Sequence, residues 1–147
     1  SEAIRLKPDF AEAYNNRGIL QAEKGALDQA IEDHTKAIRF GSGEPEAYYN
    51  RGVAYAGQRK FEQAIVDFTE AIRLNPEDTE AYDCRGVAYA ERGDLVPAIA
   101  DFTEAIRLNP ESADAYHNRA VAYDKKGDAT KADHDFARAK ELGFVPE

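Results

Sequence analysis

The chain has 147 residues and a formal net charge of −9, with 43% hydrophobic and 32% charged residues. This composition supplies enough apolar side chains for a core, so it excludes disorder as the main state of the chain. The acidic balance and the lack of a basic block argue against a nucleic-acid partner, and no apolar run approaches the roughly 18 residues of a membrane span.

The sequence repeats itself at a shift of 34 residues, as the segment FTEAIRLNPE shows by occurring at both Phe68–Glu77 and Phe102–Glu111. A period of this length indicates stacked structural repeats, because one such unit cannot bury both of its faces alone. We therefore expect a single array over 1–147 that consists of a partial repeat at 1–10 and full repeats at 11–44, 45–78, 79–112 and 113–146.

Within each repeat, apolar residues recur three or four positions apart, which is the spacing of one face of a helix. In the second repeat, Tyr48, Gly52 and Tyr55 indicate a first helix, and Ala64 and Phe68 indicate a second. The alternation of small residues with large rings predicts that the two helices approach closely. Each repeat is thus expected to be a helix, a tight turn and a second helix.

Polar breaks separate the two helices of each repeat. Gly25, Gly93 and Gly127 occupy these breaks and allow the positive φ of a helix end, whereas the second repeat has no glycine there. Asp94 and Asp128 follow two of the glycines and are predicted to be the N-caps of the next helices.

The order Tyr-x2-Arg-Gly-x2-Tyr, the later Ala-x3-Phe-x2-Ala and the closing Pro resemble the tetratricopeptide repeat (TPR) family. The resemblance covers residues 11 to about 142, and residues 1–8 are similar to the end of a preceding repeat's second helix. It implies an all-α, right-handed superhelical solenoid of antiparallel helix pairs. It also implies that the first helices line a concave, ligand-binding groove.

The two ends of the predicted array differ. At two positions where the first three repeats carry isoleucine, the fourth carries Asp133 and Lys140, which predicts a polar C-terminal capping face near Leu142. No such protection is visible at the first repeat. Its exposed face is therefore expected to allow self-association of the chain into a homo-oligomer.

No arrangement of residues suggests catalysis, a cofactor or a metal ion. His34 stands where other repeats have an aromatic ring, so a packed, hydrogen-bonded imidazole is expected, and His134 falls on the solvated face of the last helix. The single cysteine, Cys84, cannot form an internal disulfide or a site of several thiolates. A lone thiol leaves the compartment open, with the cytoplasm favoured over an oxidising compartment.

The resemblance points to a groove on the first helices, where a row of Asn would lie over an apolar strip and hydrogen-bond the backbone of an extended peptide. The alternative is that Asn recurs only because the repeats were duplicated. The predicted groove residues are Asn15, Asn16, Ile19, Tyr49, Asn50, Val53, Asp83, Cys84, Val87, His117, Asn118 and Val121.

Acidic residues dominate the same predicted groove, with Glu12, Glu46, Glu80 and Asp114 at one repeat position. TPR domains that clamp a carboxylate terminus use Lys and Arg in the groove, and these are missing here. The acids favour a neutral or basic segment as the ligand, unless they only form a solvated face.

Arginine and aspartate also recur as a pattern 16 residues apart, and pairing between the helices would make them a structural ladder rather than a ligand site. The sequence leaves open whether each Arg meets the Asp of its own repeat or of the preceding one. The ladder residues are Arg17, Asp33, Arg51, Asp67, Arg85, Asp101, Arg119 and Asp135.

The sequence therefore predicts a non-catalytic module that binds a protein or peptide segment and has no nucleic-acid or membrane partner. Two alternatives remain, a substrate-recruiting arm of a larger enzyme and a self-assembly module that uses the first repeat. The sequence does not identify the partner, because groove residues vary over one fold.

Overall fold

A computed structural model of the chain describes residues 11–41 and 44–145, so the partial repeat expected at 1–10 lies outside the described residues. The described residues form eight α-helices and no strand, which confirms the all-α fold. The helices are α1 (Ala11–Glu23), α2 (Leu27–Phe40), α3 (Pro45–Gly57), α4 (Phe61–Leu74), α5 (Thr79–Arg92), α6 (Leu95–Leu108), α7 (Ala113–Lys126) and α8 (Ala129–Glu141). None of these eight is long and apolar enough to cross a bilayer.

The chain divides into two compact units, residues 1–76 and 77–147. In the first unit α1 packs on α2, α2 on α3, and α3 on α4, and the second unit repeats this order with α5 to α8. The turns between paired helices are short, so the partners run antiparallel. Within each unit the two first helices also touch, α1 with α3 and α5 with α7. This stacking of helix pairs is that of a TPR solenoid.

Left-handed residues make the turns between paired helices. Gly25, Gly93 and Gly127 have φ of +75°, +90° and +87°, as the sequence predicted. The second repeat closes its turn without glycine by placing Arg59 at φ +57°. The second repeat therefore has the same left-handed turn as the others although it lacks the glycine. The Cβ atom of Arg59 makes this conformation sterically less favourable than it is for glycine.

The two predicted N-caps behave differently. Asp128 accepts a hydrogen bond from the backbone N–H of Lys131 at 3.3 Å, which confirms it as the cap of α8. Asp94 stands at the N-cap position of α6 as predicted, but its side chain makes no cap hydrogen bond. Arg92 donates from Nε to the Asp94 carboxylate at 2.6 Å instead, so an ion pair has taken the place of the cap.

Glycines on the first helices let a ring from the second helix approach closely. A Cβ added to Gly52 would lie 2.8 Å from Phe68, and one added to Gly86 would lie 2.7 Å from Phe102. Both rings are 1% exposed and form the centre of their helix pairs. The close approach predicted from the alternation of small residues and rings is thus confirmed.

Replacing Gly86 with alanine should lower the free energy of unfolding by about 1–3 kcal/mol, because the added Cβ would lie 2.7 Å from the buried ring of Phe102 and force that ring to shift. The gain in helix propensity, about 1 kcal/mol, offsets only part of this overpacking. Thermal unfolding followed by circular dichroism measures the effect.

Ala120→Gly is the matched control at the same repeat position. There the facing ring, Phe136, is only half-buried and already accommodates a methyl group, so removal of that methyl should destabilise the chain. A higher melting temperature for Gly86→Ala would contradict the close-packing argument.

Candidate functional site

The apolar strip predicted for the groove lies on the first helices and is open to solvent. Ile19 on α1, Val53 on α3 and Val87 on α5 are 36%, 41% and 40% exposed, and Val121 on α7 is half-buried. Branched aliphatic side chains usually lie in cores. Their recurrence at one position of the repeat marks, in each unit taken by itself, an apolar surface that a partner could cover.

In the first unit, the groove asparagines belong to a hydrogen-bonded cluster. Asn50 donates from Nδ2 to Oδ1 of Asn15 at 3.3 Å, and the same oxygen accepts a hydrogen bond from Nδ1 of His34 at 2.8 Å. The shared oxygen fixes the orientation of the Asn15 amide and assigns the imidazole proton to Nδ1. Asn16, which was also predicted, is exposed and lies outside this cluster.

His34 is the buried end of this cluster. Its side chain is 1% exposed, and its Nε2 atom has no hydrogen-bond partner. Burial lowers the pKa of His34 to about 4, and the charge of Arg51 acts in the same direction, while that of Asp33 opposes it. The predicted packed, hydrogen-bonded imidazole is confirmed, and the ring is neutral at pH 7.

In the second unit a carboxylate takes the place of Asn15. Asn118 donates from Nδ2 to both carboxylate oxygens of Asp83 at 3.3 Å. Burial raises the pKa of Asp83, the nearby charge of Asp114 adds to this, and the hydrogen bond from Asn118 opposes it. Among the described residues, no lysine or arginine forms an ion pair with this carboxylate.

A cleft of about 250 Å³ opens beside this pair. It brings together four predicted groove residues, Val87, His117, Asn118 and Val121. The sequence also placed Glu91 and Lys125 at groove positions, but it did not assign Ala90, Phe102 or Ala122 to the site. The remaining lining residues are Ala90, Glu91, Phe102, Ala122 and Lys125.

Tyr49 in the first unit and His117 in the second occupy the repeat position that Asn15 and Asp83 occupy in the preceding repeats. Tyr49 lies against Phe68 with ring centroids 5.8 Å apart, and His117 lies against Phe136 at 5.5 Å. His117 also stacks on Phe144, with centroids 3.9 Å apart and ring planes inclined by 13°. The contact with Phe144 was not predicted, because this residue follows the last helix.

The remaining predicted groove residues lie on the same helices. Cys84 is half-buried on α5, and the structure brings no metal-binding group of three His, Cys, Asp or Glu side chains together in the part of the chain it describes. The four predicted acids are all exposed, each in the first turn of its helix. These are Glu12, Glu46, Glu80 and Asp114.

The ladder arginines pair with the aspartate of their own repeat, which answers the question of register that the sequence left open. Arg51 donates from Nε and Nη2 to the two oxygens of Asp67, both at 2.7 Å. Its Nη1 also donates to Thr35 of the preceding repeat at 3.1 Å. All four aspartates are buried. The other pairs are Arg17–Asp33, Arg85–Asp101 and Arg119–Asp135.

Tyrosines flank these guanidinium groups. The Cζ atom of Arg51 lies 5.9 Å from the ring centroid of Tyr48 and 6.0 Å from that of Tyr55. Favourable cation–π contacts and fork-shaped pairing hold each arginine in one place. These charges are therefore fixed between helices, and we propose a structural role for them.

Family models cover most of the chain. Models of the tetratricopeptide repeat match residues 1–45, 45–78 and 113–142, and a TPR repeat model matches residues 86–127. A comparison of the sequence with curated proteins found no match.

Solved structures of MamA are similar to the chain over nearly its whole length. One crystal structure of MamA has 28% identity and a TM-score of 0.92, covering 96% of this chain and 82% of that chain. A second has 27% identity and a TM-score of 0.89, with coverages of 97% and 83%. MamA 41-end from Desulfovibrio magneticus RS-1 has 22% identity and a TM-score of 0.90, with coverages of 95% and 78%, which shows the fold alone. The repeat models, the helix pairs and these likenesses agree, and the chain belongs to the tetratricopeptide repeat family.

Proposed function

We propose that the chain is a non-catalytic module whose first helices bind an extended, neutral or basic protein segment. The family and the likeness to MamA support a protein-protein interaction or scaffold module in general. The finer proposal depends on one observation, which is that the groove amides of Asn50 and Asn118 are held by neighbouring oxygens beside an exposed apolar strip.

The held amide of Asn50 keeps capacity for a ligand. An asparagine side chain offers two N–H donors and one oxygen acceptor, and only one donor site of Asn50 is used by Asn15. The oxygen and the second N–H remain for the alternating N–H and C=O groups of an extended backbone. Because the neighbour already fixes the amide orientation, little side-chain entropy is lost on binding.

The exposed apolar strip supplies the second contribution. Val53 and Val87 are each about two-fifths exposed, so a bound segment could remove most of their remaining apolar surface from water. Many ligand sequences can make these backbone hydrogen bonds and apolar contacts, so the two contributions give little sequence specificity. The exposed acids then discriminate by charge, because they repel anionic segments and attract basic ones.

We expect the double variant Asn50→Ala/Asn118→Ala to bind a display library of random 12-residue peptides at least about tenfold more weakly, since each lost hydrogen bond contributes about 1 kcal/mol. The matched control is Val66→Ala/Val96→Ala, which changes two exposed side chains on second helices. The control should bind the library as the unaltered chain does. Equal binding by both variants, with unchanged thermal unfolding, would place the binding surface elsewhere.

Self-association through the first repeat is the second proposal. It is favoured by Leu20 on α1 and Phe40 on α2, which are 55% and 41% exposed. Large apolar side chains at such exposure are candidates for an interaction surface.

A further inference from the structure

We infer that the cleft between α5 and α7 selects a partner segment in which a basic residue and an apolar residue are separated by one position. The apolar side chain enters the cleft, and the lysine or arginine pairs with Asp83. This inference rests on the proposed function. It adds which side chains of the ligand the second unit recognises.

The cleft is suited to an apolar side chain. Its floor is formed by Phe102 and Ala122, which are 1% and 0% exposed, and its walls include Val87 and Val121. Two side chains of opposite charge, Glu91 and Lys125, line the same cleft. A volume of about 250 Å³ is large enough for one aliphatic or aromatic side chain and too small for a folded element. Burial of such a side chain contributes favourable free energy in proportion to the area removed from water.

The carboxylate of Asp83 lies next to the cleft through its hydrogen-bonded partner Asn118 and supplies the charge. Asn118 lines the cleft, and its amide holds the Asp83 carboxylate by contacts of 3.3 Å to both oxygens. These are bonds from a neutral donor, so the negative charge is held in place and not neutralised. Partial burial makes that charge costly, as the raised pKa of Asp83 reflects, and an incoming cation would relieve the cost.

The distance along the helix sets the spacing of the ligand residues. Asp83 and Val87 are one turn apart on α5, which corresponds to about 6 Å of helix rise. Side chains two residues apart in an extended segment point to the same side and lie about 6.7 Å apart. One such pair therefore reaches the carboxylate and the cleft at the same time.

The first unit offers an internal contrast. There the equivalent residue is Asn15, a neutral amide whose oxygen is already shared by His34 and Asn50. We therefore expect only the second unit to prefer a ligand with a basic residue at this position. Asp83→Asn would recreate the neutral arrangement, because an amide oxygen still accepts the hydrogen bond from Asn118 while the charge is removed.

The test sorts a display library of random 12-residue peptides against the full chain, Asp83→Asn and Val121→Ala, and reads the enriched sequences. We expect the unaltered chain to enrich lysine or arginine two positions from an apolar residue. Asp83→Asn should retain the apolar preference and lose the basic one. Val121→Ala should weaken the apolar preference.

A single enriched peptide, synthesised and titrated by fluorescence anisotropy, gives the magnitude. Its affinity should fall about tenfold for Asp83→Asn in low salt, and the difference should shrink in 0.5 M NaCl as the charges are screened. Enriched peptides with no basic preference, or equal affinity for both proteins, would overturn the inference and leave the proposed function standing. Failure of the unaltered chain to enrich any peptide would overturn both.

Discussion

Replacing Asp67 with alanine should lower the free energy of unfolding by about 3–5 kcal/mol, because it leaves a guanidinium group between helices without its carboxylate. Asp67 is 2% exposed and accepts two hydrogen bonds from Arg51, whose side chain is itself only 18% exposed. Water can therefore replace the lost carboxylate only in part. The hydrogen bond from Arg51 to Thr35 of the preceding repeat is too weak to compensate.

Urea unfolding followed by circular dichroism measures the loss, and two variants serve as controls. Asp33→Ala removes the same partner from Arg17, whose side chain is 35% exposed and can reach solvent, so it should cost less. Arg51→Met/Asp67→Leu removes both charges and should recover most of the stability. A loss below about 1 kcal/mol for Asp67→Ala would mean that this pair behaves as a surface ion pair.

Acidification should destabilise the first unit through His34, and His34→Phe should remove that effect. In the folded chain burial lowers the pKa of His34 to about 4, whereas a histidine in an unfolded chain titrates near 6.5. The unfolded state therefore binds the proton first as the pH falls. The contribution of the neutral ring is fully present above pH 6.5 and is lost progressively between pH 6.5 and about 4, by about 3 kcal/mol in total.

The physical cause lies in the two ring nitrogens. Nδ1 already donates to Asn15, so a second proton would have to go onto Nε2, which is buried without a partner. Phenylalanine fills the same place in the second and third repeats as Phe68 and Phe102. It titrates nowhere in this range, so the variant should keep its stability where the unaltered chain loses it.

Urea unfolding at pH 7 and pH 4.5 gives the change in the free energy of unfolding between the two pH values for the unaltered chain and for His34→Phe. Subtracting one change from the other removes the contribution of the carboxylates, which titrate in both proteins. His134→Phe makes the same substitution at a surface position, since that side chain is 79% exposed, and serves as the comparison. Parallel pH profiles for the unaltered chain and His34→Phe would contradict the assignment of acid sensitivity to the buried imidazole.

The repeat pattern was sufficient to predict the helix pairs, their turns and the close approach of Gly52 to Phe68. These features are local or recur at a fixed period, so the spacing of residue types specifies them directly. The outcome at Asp94 shows the limit of such a rule. The Asp128 side chain accepts a cap hydrogen bond while it also pairs with the Lys131 ammonium group, whereas the Asp94 side chain pairs with Arg92 and accepts no cap hydrogen bond.

The hydrogen bonds between Asn118 and Asp83 are contacts that the repeat pattern alone did not predict. Asn118 and Asp83 are 35 positions apart and both were predicted for the groove, but nothing in the spacing indicated that one amide would hold both oxygens of the other side chain. The contact of Phe144 with His117 has no repeat counterpart, so no period could have pointed to it.

The sequence by itself therefore determined the family and the helices, since residue types that recur at a fixed period specify both. Only the tertiary structure decided which side chains meet. It paired Arg51 with Asp67 of its own repeat and with Thr35 of the one before, and it left Asp83 beside an apolar cleft. The physical reason is that contacts between helices depend on interhelical distance and side-chain length, which a one-dimensional pattern does not contain.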